Sequence, residues 1–531
     1  MWKKILAALL ASAMVVSALA GCNNGGDVEE ETTATTAEAK EDEGDTAEAD
    51  DDTESAESTG DIVEISLVRT NYNCNVIDEA QVEKVRVRLN EMLEERGATV
   101  RIGKLTEYLS SEYSDKTNLG VANNEYNMMW TASWAATIGT DELWRNDAVY
   151  DITDLLPGTM LWESIPEGIW EASEYDGKVL FVPTYKESYE GYDMETLEKW
   201  IADFGWDKDE LDEVTWFDKL EPYLIELKEA GVKYPYIWNG NGFHRWVISW
   251  YDCLNDSNVF FGVDRDNGEP VVPFLTEEYL EVATYAAEYY EKGYVHEDNV
   301  TNNLATGYLK TTDWGFQSWT DTPGDEIQNA SDRAEQDCYV IENWTNRYVH
   351  STSTLGSAYT VLSSCTEEEA KACVELLGYL FSDAEMADVY MLGIEGEDFE
   401  YVEVDGETRT HMLEDYTYNH SCWESVSVLA PTLLDTEPAD KKEDYANRNE
   451  SADVSIAAGF RFDKSDSEIQ AIYTSCANLF TQYLAPLEKG AACASDEIEE
   501  YLNNYKAELD AAGFETLYNE FVDQWNAWYE K

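Results

Sequence analysis

Ile62-Val63-Glu64-Ile65-Ser66-Leu67-Val68 opens the folded part of this chain. Its apolar residues first alternate and then run together, which reads as a strand. Asp78 stands where a helix cap is needed, and Val82, Val85, Leu89, Met92 and Leu93 recur at helical spacing until Gly97. Such a glycine stops a helix by taking a left-handed conformation. Thr99-Val100-Arg101-Ile102 reads as a second strand, Glu107 to Ala122 as a second helix, and Tyr126-Asn127-Met128-Met129-Trp130 as a third strand. Strand, helix, strand, helix, strand predicts a right-handed parallel sheet with helices on its faces.

Downstream, Ala148 to Pro157 is expected to cover that sheet, and Gly177 to Thr184 is a strand leaving it. Pro183 ends regular pairing there, because proline lacks the ladder donor. A second α/β series follows. It comprises a helix over Val214–Ala230, a strand over Pro235–Trp238, a helix over Leu280–Lys292 and a strand over Thr312–Gln317. Ser357 to Leu362 is expected to return to the first sheet and to lead into a helix over Glu367–Phe381. The end of the chain is helical over Ser465–Leu484 and Ser495–Tyr529, with a break near Gly513.

Upstream, Lys3 and Lys4 precede an apolar run from Ile5 to Ala20 that ends in Leu19-Ala20-Gly21-Cys22. The charge and the run form a secretory signal, too short to cross a membrane, which takes about 20 residues. The last four residues resemble the lipobox of bacterial lipoproteins, which makes Cys22 the lipidated first residue of the mature chain. The alternative is an ordinary signal with a chance cysteine. Between Asp27 and Gly60 the chain is almost wholly Glu, Asp, Thr, Ala and Ser. Such a segment buries too little apolar surface to offset its ordering entropy, so residues 23–60 read as a disordered acidic tether.

With 531 residues and 44% hydrophobic content, the chain must fold around more than one core. A net charge of −75 excludes nucleic acid as a partner and keeps the body off anionic lipid. The eight cysteines after Cys22 contain no C-x-x-C pair, which argues against a cysteine metal site. Disulfides and buried thiols both stay open. No HExxH or G-x-S-x-G pattern occurs, and Val263 to Glu269 reads as a hairpin turn, not a calcium loop. Among 110 carboxylates some pair always looks like a glycosidase dyad, so that signal carries no weight. No cofactor and no metal are expected.

The ordered series of signal, tether, βαβαβ half, second half, return strand and C-terminal helices resembles one family. It is similar to the extracellular solute-binding lipoproteins of ABC importers, in the carbohydrate-type group related to maltose-binding protein. Asn127-Met128-Met129-Trp130-Thr131-Ala132-Ser133-Trp134, Asp151-Ile152-Thr153-Asp154-Leu155-Leu156, Asp176-Gly177-Lys178 through Pro183, and Ile394 to Glu400 carry the local likeness. The resemblance implies an α/β, two-lobed, periplasmic-binding-protein-like fold with hinge crossovers. The N-terminal lobe would comprise 61–184 and 350–430, and the C-terminal lobe 185–349 and 431–531. The ligand would sit between them at the carboxyl ends of the strands.

Sugars offer hydroxyl edges and C–H faces, so a site for them needs aromatic platforms beside directional polar groups. Most of the 18 Trp and 34 Tyr are expected to serve packing. The candidates at strand ends and crossings are Trp130, Trp134, Tyr185, Glu187, Trp238, Asn239, Asn241, Trp314, Trp319 and Tyr359. Arg245 reads first as a salt-bridge residue and second as a contact for an anionic sugar. The expected function is non-catalytic capture of a sugar, in particular an oligosaccharide, for an ABC permease. The protein would be a monomer, lipid-anchored through Cys22 on the extracellular face of the membrane. The alternatives are a surface glycan-degrading enzyme and a peptide-binding protein on the same fold.

Overall fold

The structure is a computed structural model that describes residues 61–530, except 136, 190, 239–246, 248–249, 255–257, 302–308, 321, 325, 343, 345–348 and 351–354. Two sheets carry the architecture. In chain order their strands are β1 (Val63–Asn71), β2 (Val100–Leu109), β3 (Met128–Thr131), β4 (Val182–Pro183), β5 (Tyr192–Leu197), β6 (Tyr234–Ile237), β7 (Trp314–Thr320), β8 (Cys338–Ile341) and β9 (Ala358–Val361). The first sheet runs β2-β1-β3-β9-β4 and the second β8-β5-β7-β6.

The βαβαβ reading is realised in the first sheet, where β1 pairs parallel with both β2 and β3. The intervening helix Glu79–Glu95 starts where the Asp78 side chain accepts from the amides of Ala80 and Gln81. It buries Val82, Val85, Leu89, Met92 and Leu93, and Gly97 follows it at φ 71°. The second helix begins at Ser110, later than expected, because β2 continues through Leu109. Glu107 therefore belongs to the strand, where it pairs with Arg69 of β1. The returning β9 pairs antiparallel with β3 and β4, which makes the sheet mixed.

The side chains divide into two hydrophobic cores. One draws on residues from Ile65 to Tyr185 and from Leu355 to Tyr445; the other draws on Met194 to Trp344 and Ala457 to Trp525. The chain thus crosses three times, at about 186–193, 345–354 and 446–456. The third crossing lies beyond the boundary expected at 430/431. Asp388 accepts from the Thr432 amide at 2.8 Å and the Thr410 carbonyl accepts from the Asp435 amide at 2.8 Å, and these bonds hold that stretch to the first lobe. Asn449 ties the third crossing to the first by donating to the Lys186 carbonyl (2.7 Å) and accepting from the Ser188 amide (2.9 Å). The strand Val349–His350 of the second crossing pairs parallel with Asp453–Val454 of the third.

The first two crossings enter and leave both sheets at one edge. Ala358, the first residue of β9, lies opposite Thr131, the last residue of β3. Tyr192 at the start of β5 lies opposite Thr320 at the end of β7, and β6 runs parallel to β7. That edge is the carboxyl end of β1, β2, β3, β6 and β7. The helices Ser467–Leu487, Ile498–Ala511 and Phe514–Tyr529 pack into the second core, the last two separated at Gly513 (φ 101°). Residues Gly262–Asp264 and Pro270–Val271 form the expected hairpin. Cys74, Cys338, Cys365, Cys373, Cys476 and Cys493 are free thiols, and no described helix is long and apolar enough to cross a membrane.

Asp388 gives this architecture a pH dependence. It is fully buried, accepting from the Thr432 amide and from the Tyr401 hydroxyl at 3.0 Å, and burial pushes its carboxyl up to about 6. Its folded value lies above its unfolded one, so its contribution is complete in acid and is lost as pH rises through about 6. Asp388→Asn should therefore stabilise the protein by roughly 2 kcal/mol at pH 7.5 and by almost nothing at pH 4. Urea unfolding of variant and parent at both pH values measures the difference.

Candidate functional site

Four aromatic side chains gather at the carboxyl edge of the first sheet. Tyr72 follows β1, Trp130 lies in β3, Trp134 follows it, and Trp423 sits on the short helix Cys422–Ser425. Trp130 is the buried pedestal, its ring 6.0 Å from Tyr72, 5.8 Å from Trp134 and 6.3 Å from Trp423. Its indole N–H donates to the Ser357 hydroxyl at 2.8 Å. Trp134 is 56% exposed and Tyr72 38% exposed. The Trp134 N–H already donates to the Gly356 carbonyl (2.6 Å), so what it offers outward is an apolar ring face. Such a face packs against the C–H patches of a pyranose.

Beneath these rings lies a buried charge network. The Arg69 guanidinium donates to Glu107 Oε1 from Nε (2.9 Å) and Nη2 (2.8 Å), and stacks 3.7 Å over Tyr390. Nη2 also donates to the Tyr390 carbonyl (2.8 Å) and meets the Tyr418 hydroxyl. His420 Nε2 stands 3.1 Å from Glu107 Oε2, and its Nδ1 3.2 Å from Glu424 Oε1. Burial alone would raise the Glu107 carboxyl, but His420 and Arg69 together hold it well below the usual range. Burial, with Glu424 adding to it, pushes the Tyr72 phenol up, so it stays a neutral hydrogen-bonding group.

The second lobe presents Trp319, half-buried near the end of β7, with the Arg333 guanidinium 4.4 Å above its ring. Arg333 pairs with Glu195, which also accepts from the Gln317 side chain at 2.5 Å. Trp238 follows β6, almost buried against Tyr236 and Phe217. Its backbone is clamped by Asn299, which accepts from the Trp238 amide and donates to the Trp238 carbonyl. A crevice between the cores is lined by Ser133, Asp141 and Tyr175 from the first lobe and by Phe261, Arg461 and Tyr473 from the second. There Arg461 stacks 4.6 Å over Tyr175.

Of the expected site residues, the structure brings Trp130 and Trp134 together and sets Trp319 near the end of β7 and Trp238 after β6 in the second lobe. Tyr185 and Glu187 lie buried in the first crossing, where the Tyr185 carbonyl accepts from the Val428 amide and Glu187 pairs with Lys186 at 2.5 Å. Trp314 is a core residue instead. It stands at the amino end of β7, fully buried, with its N–H donated to the Leu309 carbonyl. Tyr359 is also interior, its hydroxyl 3.0 Å from that of Tyr390. Asn239, Asn241 and Arg245 lie outside the described residues, as do Cys22 and the tether. Sequence reasoning missed Tyr72 and Trp423. Tyr72 was within reach of the strand-end rule, had β1 been followed to Asn71. No group of three or more potential metal ligands occurs among the described residues.

A family model described as a domain of unknown function, DUF3502, matches residues 456–530, the C-terminal helices and the segment leading into them. No curated protein matches the chain by sequence. Among solved structures, the chain is similar to the N-glycan transport solute-binding protein NgtS from Streptococcus pneumoniae. The TM-score is 0.73 at 19% identity, covering 88% of this chain and 99% of that one. Against NgtS in complex with Man5GlcNAc the TM-score is 0.65 at 18% identity, covering 88% and 98%. The ABC-transporter substrate-binding protein FusA of S. pneumoniae, in complex with kestose, gives 0.55 at 13% identity, covering 88% and 99%. The chain has the two-lobed fold of these ABC-transporter sugar-binding proteins.

The network beneath the rings is open to a direct test. Glu107→Gln leaves Arg69 buried beside an uncharged partner and should cost about 3–5 kcal/mol of stability. Guanidinium unfolding, compared with a surface control such as Glu83→Gln that should change almost nothing, measures it.

Proposed function

We propose that this chain is a binding protein that captures an oligosaccharide between its lobes and delivers it to an ABC permease. The observation that carries the reading is the exposed Trp134–Tyr72 platform, seated on Trp130 and Trp423 at the carboxyl edge of the first sheet. Trp319 stands at the matching edge of the second. Two stacking surfaces on separate cores suit a ligand with several rings, because each lobe can hold a different residue of it. Asn449, which bonds the first crossing to the third, is the kind of contact about which lobes rotate as rigid bodies. The oligosaccharides named with NgtS and FusA support a sugar as the ligand. They are binding proteins of transporters, which supports capture without chemistry over the enzyme reading.

The anchor completes the proposal. Lipid on Cys22 and the acidic segment behind it would keep the clamp near the membrane, raising its effective concentration at the permease. The likeness of Leu19-Ala20-Gly21-Cys22 to a lipobox supports this.

Isothermal titration against manno- and fructo-oligosaccharides should give a sugar that binds and is recovered intact. Trp134→Ala should weaken that binding at least about ten-fold, within the range of hot-spot aromatic truncations, with the fold unchanged by circular dichroism. Binding of peptides alone, or of no glycan in a broad panel, would overturn the sugar reading. Cys22→Ala should move the protein from the membrane fraction to the medium while leaving its affinity intact; continued membrane retention would overturn the anchor.

A further inference from the structure

We propose that His420 is a positioning residue for the ligand platform: it sets Trp423 and Tyr72 by closing the buried charge network, without itself meeting the ligand. This rests on the cleft reading above. The imidazole is wholly enclosed, and each of its nitrogens faces a carboxylate oxygen from a different part of the chain. Nε2 meets Glu107 on β2 and Nδ1 meets Glu424, four residues further along its own segment. The groups packed around the ring are Glu107 and Arg69 from the sheet, Asn71 at its end with Nδ2 3.0 Å from Nε2, Tyr418 and Glu424 from its own segment and Tyr390 from the helix Ala384–Leu392. Tyr359 of β9 and Cys74 lie at the margin of the network.

The two facing carboxylates explain why a side chain with two ring nitrogens stands there. Glu107 and Glu424 are two buried carboxylates, and Arg69 is one buried cation. His420 stands between the two carboxylates, with Nδ1 and Nε2 each within hydrogen-bond distance of one of them. A net charge left in such an enclosure is costly. Little else is available to absorb it, since Arg69 Nη1 and Glu424 Oε2 are already buried without a hydrogen-bond partner.

What the network holds is the floor of the site. The His420 amide donates to the Met391 carbonyl at 2.8 Å. The Glu424 carboxylate accepts from the Ser421 amide at 3.3 Å, and together they form the capping box of the helix that bears Trp423. The Trp423 carbonyl accepts from the Thr184 hydroxyl at 2.8 Å, at the mouth of the first crossing. The Trp423 ring lies 5.1 Å from that of Tyr72. Releasing Glu424 from His420 therefore frees one wall of the platform together with a contact at the hinge.

The test uses the full chain labelled with 5-fluorotryptophan, with the Trp423 resonance assigned through Trp423→Phe, and titration of Man5GlcNAc as the probe sugar. His420→Gln leaves two carboxylates against one cation. It should displace or broaden the Trp423 signal and weaken binding at least about ten-fold. Adding Glu424→Gln removes the buried carboxylate that has lost its partner and should return both readouts to within about two-fold of the parent, a coupling that independent sites do not show. A single variant with an unchanged Trp423 signal and affinity overturns the proposal. So does a double variant that folds or binds no better than the single one. Should the parent bind no Man5GlcNAc, the fluorine signal still decides the role of His420, and that failure falls on the choice of sugar.

Discussion

A chain that builds two sheets and enters both from one edge must leave a space between them, and everything functional here follows from that constraint. Three crossings join the cores, and the first two meet their sheets where the parallel strands end. At those ends the backbone leaves its ladder, so side chains there project into the gap. Trp134 and Trp319 are held at such ends, Tyr72 and Trp423 gather beside Trp134, and Trp238 packs into the second core. The proposed site, divided between two cores, would also link occupancy to movement, because a ligand that touches both favours the arrangement in which they approach.

The platform is apolar above and ionic below, and the two layers have opposite requirements. An exposed tryptophan face is useful only if its ring is held in place, since ordering a loose side chain on binding lowers affinity. Here the polar handles face inward, with Trp130 bonded to Ser357 and Trp134 to Gly356. Beneath them, Arg69, Glu107, His420 and Glu424 join the sheet to the segment carrying Trp423. Buried charges of this kind are weak contributors to net stability but severe in what they forbid, because no partner can leave alone. Rigidity at the floor of a cleft is the better reason for their presence.

Local patterns revealed the scaffold more fully than the site. The spacing of Val82, Val85, Leu89 and Leu93, with a cap at Asp78 and a stop at Gly97, was enough to place the first helix and the parallel strands beside it. The place of Trp134 just past a strand end was legible because it closely follows an apolar strand. The network was not. Arg69 and Glu107 lie 38 residues apart, and Glu107 and His420 lie 313 apart, so no sequence window contains the pair. Lacking that partner, Glu107 looked like the first turn of a helix. Trp314 misled for a related reason: a tryptophan beside a strand looks the same at either end, and only the direction of β7 places it in the core. The third crossing was displaced because Asp388 holds Thr432 to the first lobe through a bond that hydrophobic pattern cannot register.

The central proposal is that the two cores close on a ligand held between them. Small-angle X-ray scattering of the lipid-free protein, without and with a saturating oligosaccharide shown to bind, tests it most directly. Closure predicts a smaller radius of gyration and a shorter maximum dimension in the complex, with both values returning when the sugar is removed. A bound sugar that leaves the scattering curve unchanged would contradict it.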